Sequence, residues 1–113
     1  MDCIGLVVLS HEAAGYQLAD CTTYSKQPNP DELLHYIGLN FTRQHRDDPC
    51  EPGELALFQY RKRGPQHAAL ITESLGLIHT WADVGKVVEN DFDARWQRLF
   101  HSHWKVKESL WRP

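Results

Sequence analysis

Residues 52–81, PGELALFQYRKRGPQHAALITESLGLIHTW, decide the fold. Three short apolar runs stand in this stretch, Leu55 to Tyr60, His67 to Thr72 and Leu77 to Trp81. The turn Glu51-Pro52-Gly53 opens the first, Gly64-Pro65 separates it from the second, and a short polar turn separates the second from the third. Apolar runs of strand length between Gly and Pro punctuation read as β-strands joined by turns. Downstream, KVVEN (Lys86 to Asn90) is a fourth strand, Asp93 to Phe100 is a helical turn starting near Asp93, and HWKVK (His103 to Lys107) alternates like a last strand.

Upstream the period is helical. DCIGLVVLSHEAAG, from Asp2 to Gly15, is apolar on nearly every side and predicts a short buried helix with Asp2 as N-cap and Gly15 as C-terminal stop. Tyr16 to Pro30 reads as a long polar surface excursion, a kind of segment that is more often functional than not. From Asp31 to Thr42, the residues Leu33, Leu34, Ile37 and Phe41 recur at helical spacing, and Arg43 to Glu51 is a charged linker. Helices followed by an antiparallel meander define an α+β class, N-terminal helices packed on a small antiparallel sheet.

The 113 residues make one domain, residues 1–113, with 42% hydrophobic and 24% charged residues, the balance of a soluble globular chain. Twelve Lys and Arg stand against fifteen Asp and Glu, so the basic excess that drives phosphate binding is missing and nucleic acid is not an expected partner. No apolar run approaches the roughly 18 residues of a membrane span. The N-terminus lacks a basic signal-peptide region, so synthesis in the cytoplasm is expected. Arg95, Arg98, Lys105, Lys107 and Arg112 interleave with Trp96, Trp104 and Trp111; the tryptophans read as anchors of the last strand, the charges as wet.

Cys3, Cys21 and Cys50 form no C-x-x-C pair, which argues against a disulfide framework or a thiolate zinc site and for one reactive thiol. Cys3 falls in the first turn of the predicted helix, where unpaired N–H groups and the macrodipole favour a thiolate; the plainer alternative is a small apolar core residue. His67 opens a strand directly after the Gly-Pro break and is the candidate general base. With the turn centre between Glu73 and Leu75, the residue facing it falls between positions 79 and 82, and a turn centred on Glu73 sets His79 directly opposite on the same face, with Cβ atoms about 4.5–5.5 Å apart. Thiol, base and orienting group are the constellation of a cysteine hydrolase. The rival reading of His67 and His79 as a metal pair needs further ligands among His11, His35, His101 and His103. There is no H-E-x-x-H spacing and no evident third ligand, so no metal and no cofactor are expected. His11, His35 and His45 read as structural or solvated.

Several blocks together resemble the NlpC-type cysteine peptidases: Asp2-Cys3-Ile4-Gly5-Leu6-Val7, Pro52-Gly53-Glu54-Leu55-Ala56-Leu57-Phe58, Gln66-His67-Ala68-Ala69-Leu70 and Leu77-Ile78-His79. The phage-tail and prophage cell-wall branch is echoed further by Tyr24-Ser25-Lys26-Gln27-Pro28, by Ala82 to Glu89 and by Asp93-Ala94-Arg95-Trp96. The resemblance spans almost the whole chain and implies a papain-like fold. Cys3 is then the nucleophile, His67 the base and His79 the residue that holds the imidazole. The implied activity is hydrolysis of amide bonds in the peptide stems of bacterial peptidoglycan, at the cell wall or as part of a phage tail, with tail proteins as partners. Two departures accompany it. Family members carry a segment before the nucleophile that supplies a tyrosine, whereas two residues precede Cys3, so the domain reads as N-terminally shortened, with Tyr24 a stand-in substrate-binding residue. Ile4 also replaces the usual serine. The alternative function is an inactive, truncated domain serving tail assembly or wall binding, and a sheet region left bare by the shortening predicts self-association into a homo-oligomer.

Overall fold

Leu55–Phe58 (β2) is apolar at all four positions, and none of its side chains reaches solvent. A strand reads as continuously apolar when both of its faces are covered, and here each face meets its own core. Leu55 and Leu57 project to one side, where Leu33, Tyr36 and Ile37 of helix α1 (Pro30–Asn40) pack with Phe41, Ala68 and Trp104. Ala56 and Phe58 project to the other, where Ala69, Ile71 and Leu77 gather around Trp96 of the short helix α2 (Ala94–Leu99). Each fully buried Leu or Phe in these two layers contributes about 1.5–3 kcal/mol relative to exposure.

The computed structural model describes residues 11–16, 30–59, 67–81 and 86–111. Its strands are β1 (Phe41–Arg43), β2, β3 (His67–Ile71), β4 (Leu77–Trp81), β5 (Lys86–Asn90) and β6 (Phe100–Val106). They form one antiparallel six-stranded sheet in the order β1-β6-β2-β3-β4-β5, so the fold is α+β as the sequence order predicts. β2 to β5 are the expected meander. β6 departs from it by returning to the free side of β2, where it also receives β1. No helix among the described residues is long and apolar enough to cross a membrane.

Local chemistry explains the boundaries. Proline as the first residue of α1 gives up no helical hydrogen bond, and Asp93 caps α2 by accepting from the Trp96 N–H at 3.2 Å. The chain leaves the helix after Asn40, and Phe41 opens β1 opposite Val106, although its spacing from Ile37 suits a helix. Phe41 is buried in the same core either way, which is why apolar periodicity does not separate the two. β6 starts at Phe100, earlier than the alternation from His103 predicts. Its pairing jumps from Leu57↔Ser102 to Phe58↔Phe100, so His101 is the extra residue of a bulge that interrupts the period of two. Of the three C-terminal tryptophans, Trp96 and Trp104 are buried while Trp111 is half exposed and bridges Tyr16 through its backbone.

Residues 11–13 are helical and end as Gly15 predicts. Tyr16 N–H donates to the His11 carbonyl and Gly15 N–H to that of Glu12, with Gly15 at φ 98°, a Schellman closure. His11 is buried edge-on against Tyr16 and Phe41, a structural histidine. The rest of the predicted first helix and most of the surface excursion lie outside the described residues.

The β3–β4 hairpin sets the register that matters most. Leu70 pairs with Ile78 and Ile71 with Leu77, which centres the turn on Ser74 rather than Glu73. Leu75 N–H donates to the Thr72 carbonyl, and Leu75 then takes the left-handed conformation at φ 64° before Gly76. This is a type I turn followed by an αL residue, the usual three-residue hairpin loop with a leucine where glycine is favoured. Gly76 has no room for a side chain, since a Cβ there would stand 2.8 Å from the Asn90 carbonyl oxygen. Two substitutions in one loop should therefore act in opposite directions. Leu75→Gly relieves the αL penalty and is expected to raise the urea midpoint by the equivalent of up to about 1 kcal/mol. Gly76→Ala is expected to lower it by about 1–3 kcal/mol.

Candidate active site

The alternation of β3, β4 and β5 points His67, His79 and Asn90 to the same face of the sheet, the face that carries α2. The turn at Ser74 lies within the expected range from Glu73 to Leu75, and it makes the two histidines diagonal neighbours rather than the directly opposed pair that a turn at Glu73 would give. The diagonal still brings the rings together. His67 Nε2 and His79 Nδ1 are 2.7 Å apart, with ring planes at 78°. A second diagonal step, from β4 to β5, sets His79 Nε2 2.6 Å from Asn90 Oδ1. Trp96 closes the site from above, stacked on His67 at 5.9 Å and 30° and edge-on to His79 at 4.9 Å. His79 is wholly buried, Trp96 nearly so, and Phe58 lies 6.3 Å from the His67 ring.

Asn90 fixes where the protons sit. Its Oδ1 only accepts, so His79 Nε2 carries a hydrogen and, in the neutral ring, Nδ1 carries the lone pair. His67 Nε2–H therefore donates to His79 Nδ1, which leaves the basic lone pair of His67 on Nδ1. Burial pushes His67 down to about 4, and the neighbouring His79 adds to the effect. At neutral pH the imidazole is an oriented, uncharged base, the form that accepts a proton. When it does so, the charge is met by a relay that ends on an amide oxygen.

A second polar group lies on the same face, beside Phe100. His103 Nδ1 is in close hydrogen-bond contact with Glu54 Oε1, and both side chains are buried. His103 Nε2–H donates to the His45 carbonyl at 2.9 Å, and Glu54 Oε2 accepts the Glu51 N–H at 3.2 Å. Because His103 Nε2–H is taken by the His45 carbonyl, the contact between Nδ1 and Oε1, two acceptors, needs a hydrogen between them. Cys50 adjoins it; burial first and the Glu54 charge second push its thiol up to about 11, so it is protonated and unreactive at neutral pH.

Of the residues singled out from the sequence, His67 and His79 are brought together, whereas Cys3 and Tyr24 lie outside the described residues. Asn90 and Trp96 belong to the site and were not singled out for it. Asn90 had a faint signal, as the polar last residue of the predicted strand KVVEN, two positions beyond Val88, which pairs with His79. Comparison with protein-family models, with curated proteins and with solved structures returned no match.

The depressed His67 value ties stability to pH. Above about pH 6.5 the ring is neutral folded or unfolded. Below it the unfolded chain takes up a proton that the folded one refuses until pH approaches 4, so stability falls across that window, by about 3 kcal/mol in total. Urea unfolding at pH 4.5 and 7.5 should show this loss, and His67→Gln should flatten it.

Proposed function

We propose that the chain is a cysteine endopeptidase or amidase of papain-like, NlpC type that hydrolyses the peptide stems of bacterial peptidoglycan, at the cell wall or as part of a phage tail. The observation that carries this reading is the 2.7 Å contact between His67 and His79, the two histidines that follow Cys3 in the order of the family resemblance, and Asn90 extends it beyond that resemblance. A neutral imidazole held in one tautomer and sheltered by an indole is suited to taking a proton from a thiol, and Cys3 is the thiol that the resemblance supplies.

The chemistry follows in two halves. His67 Nδ1 takes the Cys3 thiol proton, and the thiolate attacks the amide carbonyl carbon. The tetrahedral intermediate collapses to a thioester as His67 returns the proton to the leaving amine. Water then attacks the thioester carbonyl, His67 accepts its proton, and the intermediate releases a carboxylic acid and regenerates the Cys3 thiol. His79 and Asn90 do not touch the scissile bond. They are positioning residues that hold the His67 ring plane and keep its lone pair on Nδ1.

Incubating the purified chain with peptidoglycan and identifying new amino termini by mass spectrometry tests the reading. Cys3→Ala and His67→Ala are expected to abolish release of stem fragments. Asn90→Leu is expected to lower kcat by about 10- to 100-fold with KM little changed, within the roughly 10²–10⁴-fold that a positioned base contributes. Binding to the wall without turnover, unaffected by Cys3→Ala, would instead establish a binding module.

A further inference from the structure

Away from the imidazole relay, three metal-ligating atoms converge. Cys50 Sγ, a Glu54 carboxylate oxygen and a His103 ring nitrogen all lie within 4.8 Å of one another. They come from three places in the chain: the segment after β1, the residue before β2, and β6 itself. Backbone groups hold two of them from behind. The His45 carbonyl accepts from His103 Nε2–H and so turns Nδ1 inward, while the Glu51 N–H fixes the far oxygen of Glu54. An imidazole that donates its outer N–H to a backbone carbonyl while its inner nitrogen faces other donors has the outer-shell arrangement of a ligating histidine.

With Nε2 protonated, the facing atoms Nδ1 and Oε1 are both acceptors, and their contact requires a positive centre between them. A proton meets that need, and so does a cation. Once the thiol is deprotonated as well, the cluster offers one thiolate, one carboxylate and one neutral imidazole. Their combined charge of −2 is cancelled by a divalent ion, which matters where Glu54 and His103 are 3% and 1% exposed. Sulfur, nitrogen and oxygen donors together are characteristic of zinc.

We propose that Cys50, Glu54 and His103 form a Zn²⁺ site, with a water as fourth ligand. Loading exchanges protons for metal. Cys50 gives up its thiol proton, the Glu54 and His103 pair gives up the one it shares, and the neutral cluster becomes a neutral complex with release of two protons. Metal–donor bonds of about 2.0–2.3 Å place tetrahedral donors about 3.3–3.6 Å apart, so the ion draws the thiol inward and parts the carboxylate from the imidazole. The absence of a C-x-x-C pair does not bear on this site, because its single thiol is combined with a carboxylate four positions on and an imidazole from a distant strand.

The test is titration of the chelator-treated full chain with Co²⁺, followed by Zn²⁺. One equivalent of Co²⁺ should give a thiolate-to-cobalt charge-transfer band that Zn²⁺ removes. Cys50→Ser should abolish the band and weaken Zn²⁺ binding at least about 10-fold, with an unchanged far-ultraviolet circular dichroism spectrum showing that the variant is folded. Absence of the band, or a band that persists in Cys50→Ser, would overturn the proposal, the latter by assigning the metal to another thiol. Neither result bears on the peptidase reading, which involves none of these three residues.

Discussion

The imidazole relay depends on the parity of three strands, β3, β4 and β5. Because side chains alternate strictly along a strand, a slip of one residue in the β3–β4 hairpin would turn His79 toward α1 and separate it from both His67 and Asn90. The hairpin loop prevents this by means that have nothing to do with the histidines. The Leu75 N–H closes on Thr72, Thr72 N–H donates to the Gly76 carbonyl, and Gly76 N–H donates to Thr72 Oγ1 at 2.9 Å. Gly76 also lies hard against the Asn90 backbone, so the loop that fixes the first pairing also seats the end of β5. A left-handed leucine and a crowded glycine are local costs, and they secure a geometry two strands wide.

Burial ties together two groups that shift in opposite directions. His67 is pushed down and Cys50 up, and in both the main cause is removal from water, which disfavours whichever form is charged. The shared result is a sheet face on which imidazole and thiol are both neutral, set among Phe58, Phe92, Trp96 and Phe100. No buried side-chain polar atom among the described residues lacks a hydrogen-bond partner. In such surroundings a hydrogen bond is electrostatically stronger than in water, and an unmade one costs more. The histidine relay and the Glu54–His103 pair are thus as much part of the packing as the rings around them.

The sequence made β2, β3 and β4 legible because each is a short apolar run between strong turn signals, and β3, β4 and β5 begin where the reading placed them. It was also enough to pair His67 with His79, since a shift of one position in the turn centre changes directly opposed neighbours into diagonal ones on the same face. The features it hid share a physical cause. Phe41 satisfies helical and strand patterns alike, His101 breaks the alternation through a bulge, and β6 crosses to β2 for reasons of topology that no local window contains. Asn90 and Glu54 acquire their partners only through sheet register and burial, across 11 and 49 residues of sequence. An apolar period reports which face a residue occupies, not which polar atom it will meet there.

Among the described residues β5 stands at the end of the strand order, hydrogen-bonded to β4 alone. Edge strands open more readily than central ones, with local free energies well below that of global unfolding. The three members of the relay therefore have unequal lifetimes. His67 and His79 are clamped under Trp96, while Asn90, itself exposed, belongs to the strand whose amides should exchange soonest. Each brief detachment of β5 releases the amide oxygen, and the two imidazoles are then at liberty to exchange donor and acceptor roles. The fraction of molecules in which the His67 lone pair lies on Nδ1 is accordingly a dynamic quantity, set by the fraying of one peripheral strand as well as by the geometry of the relay.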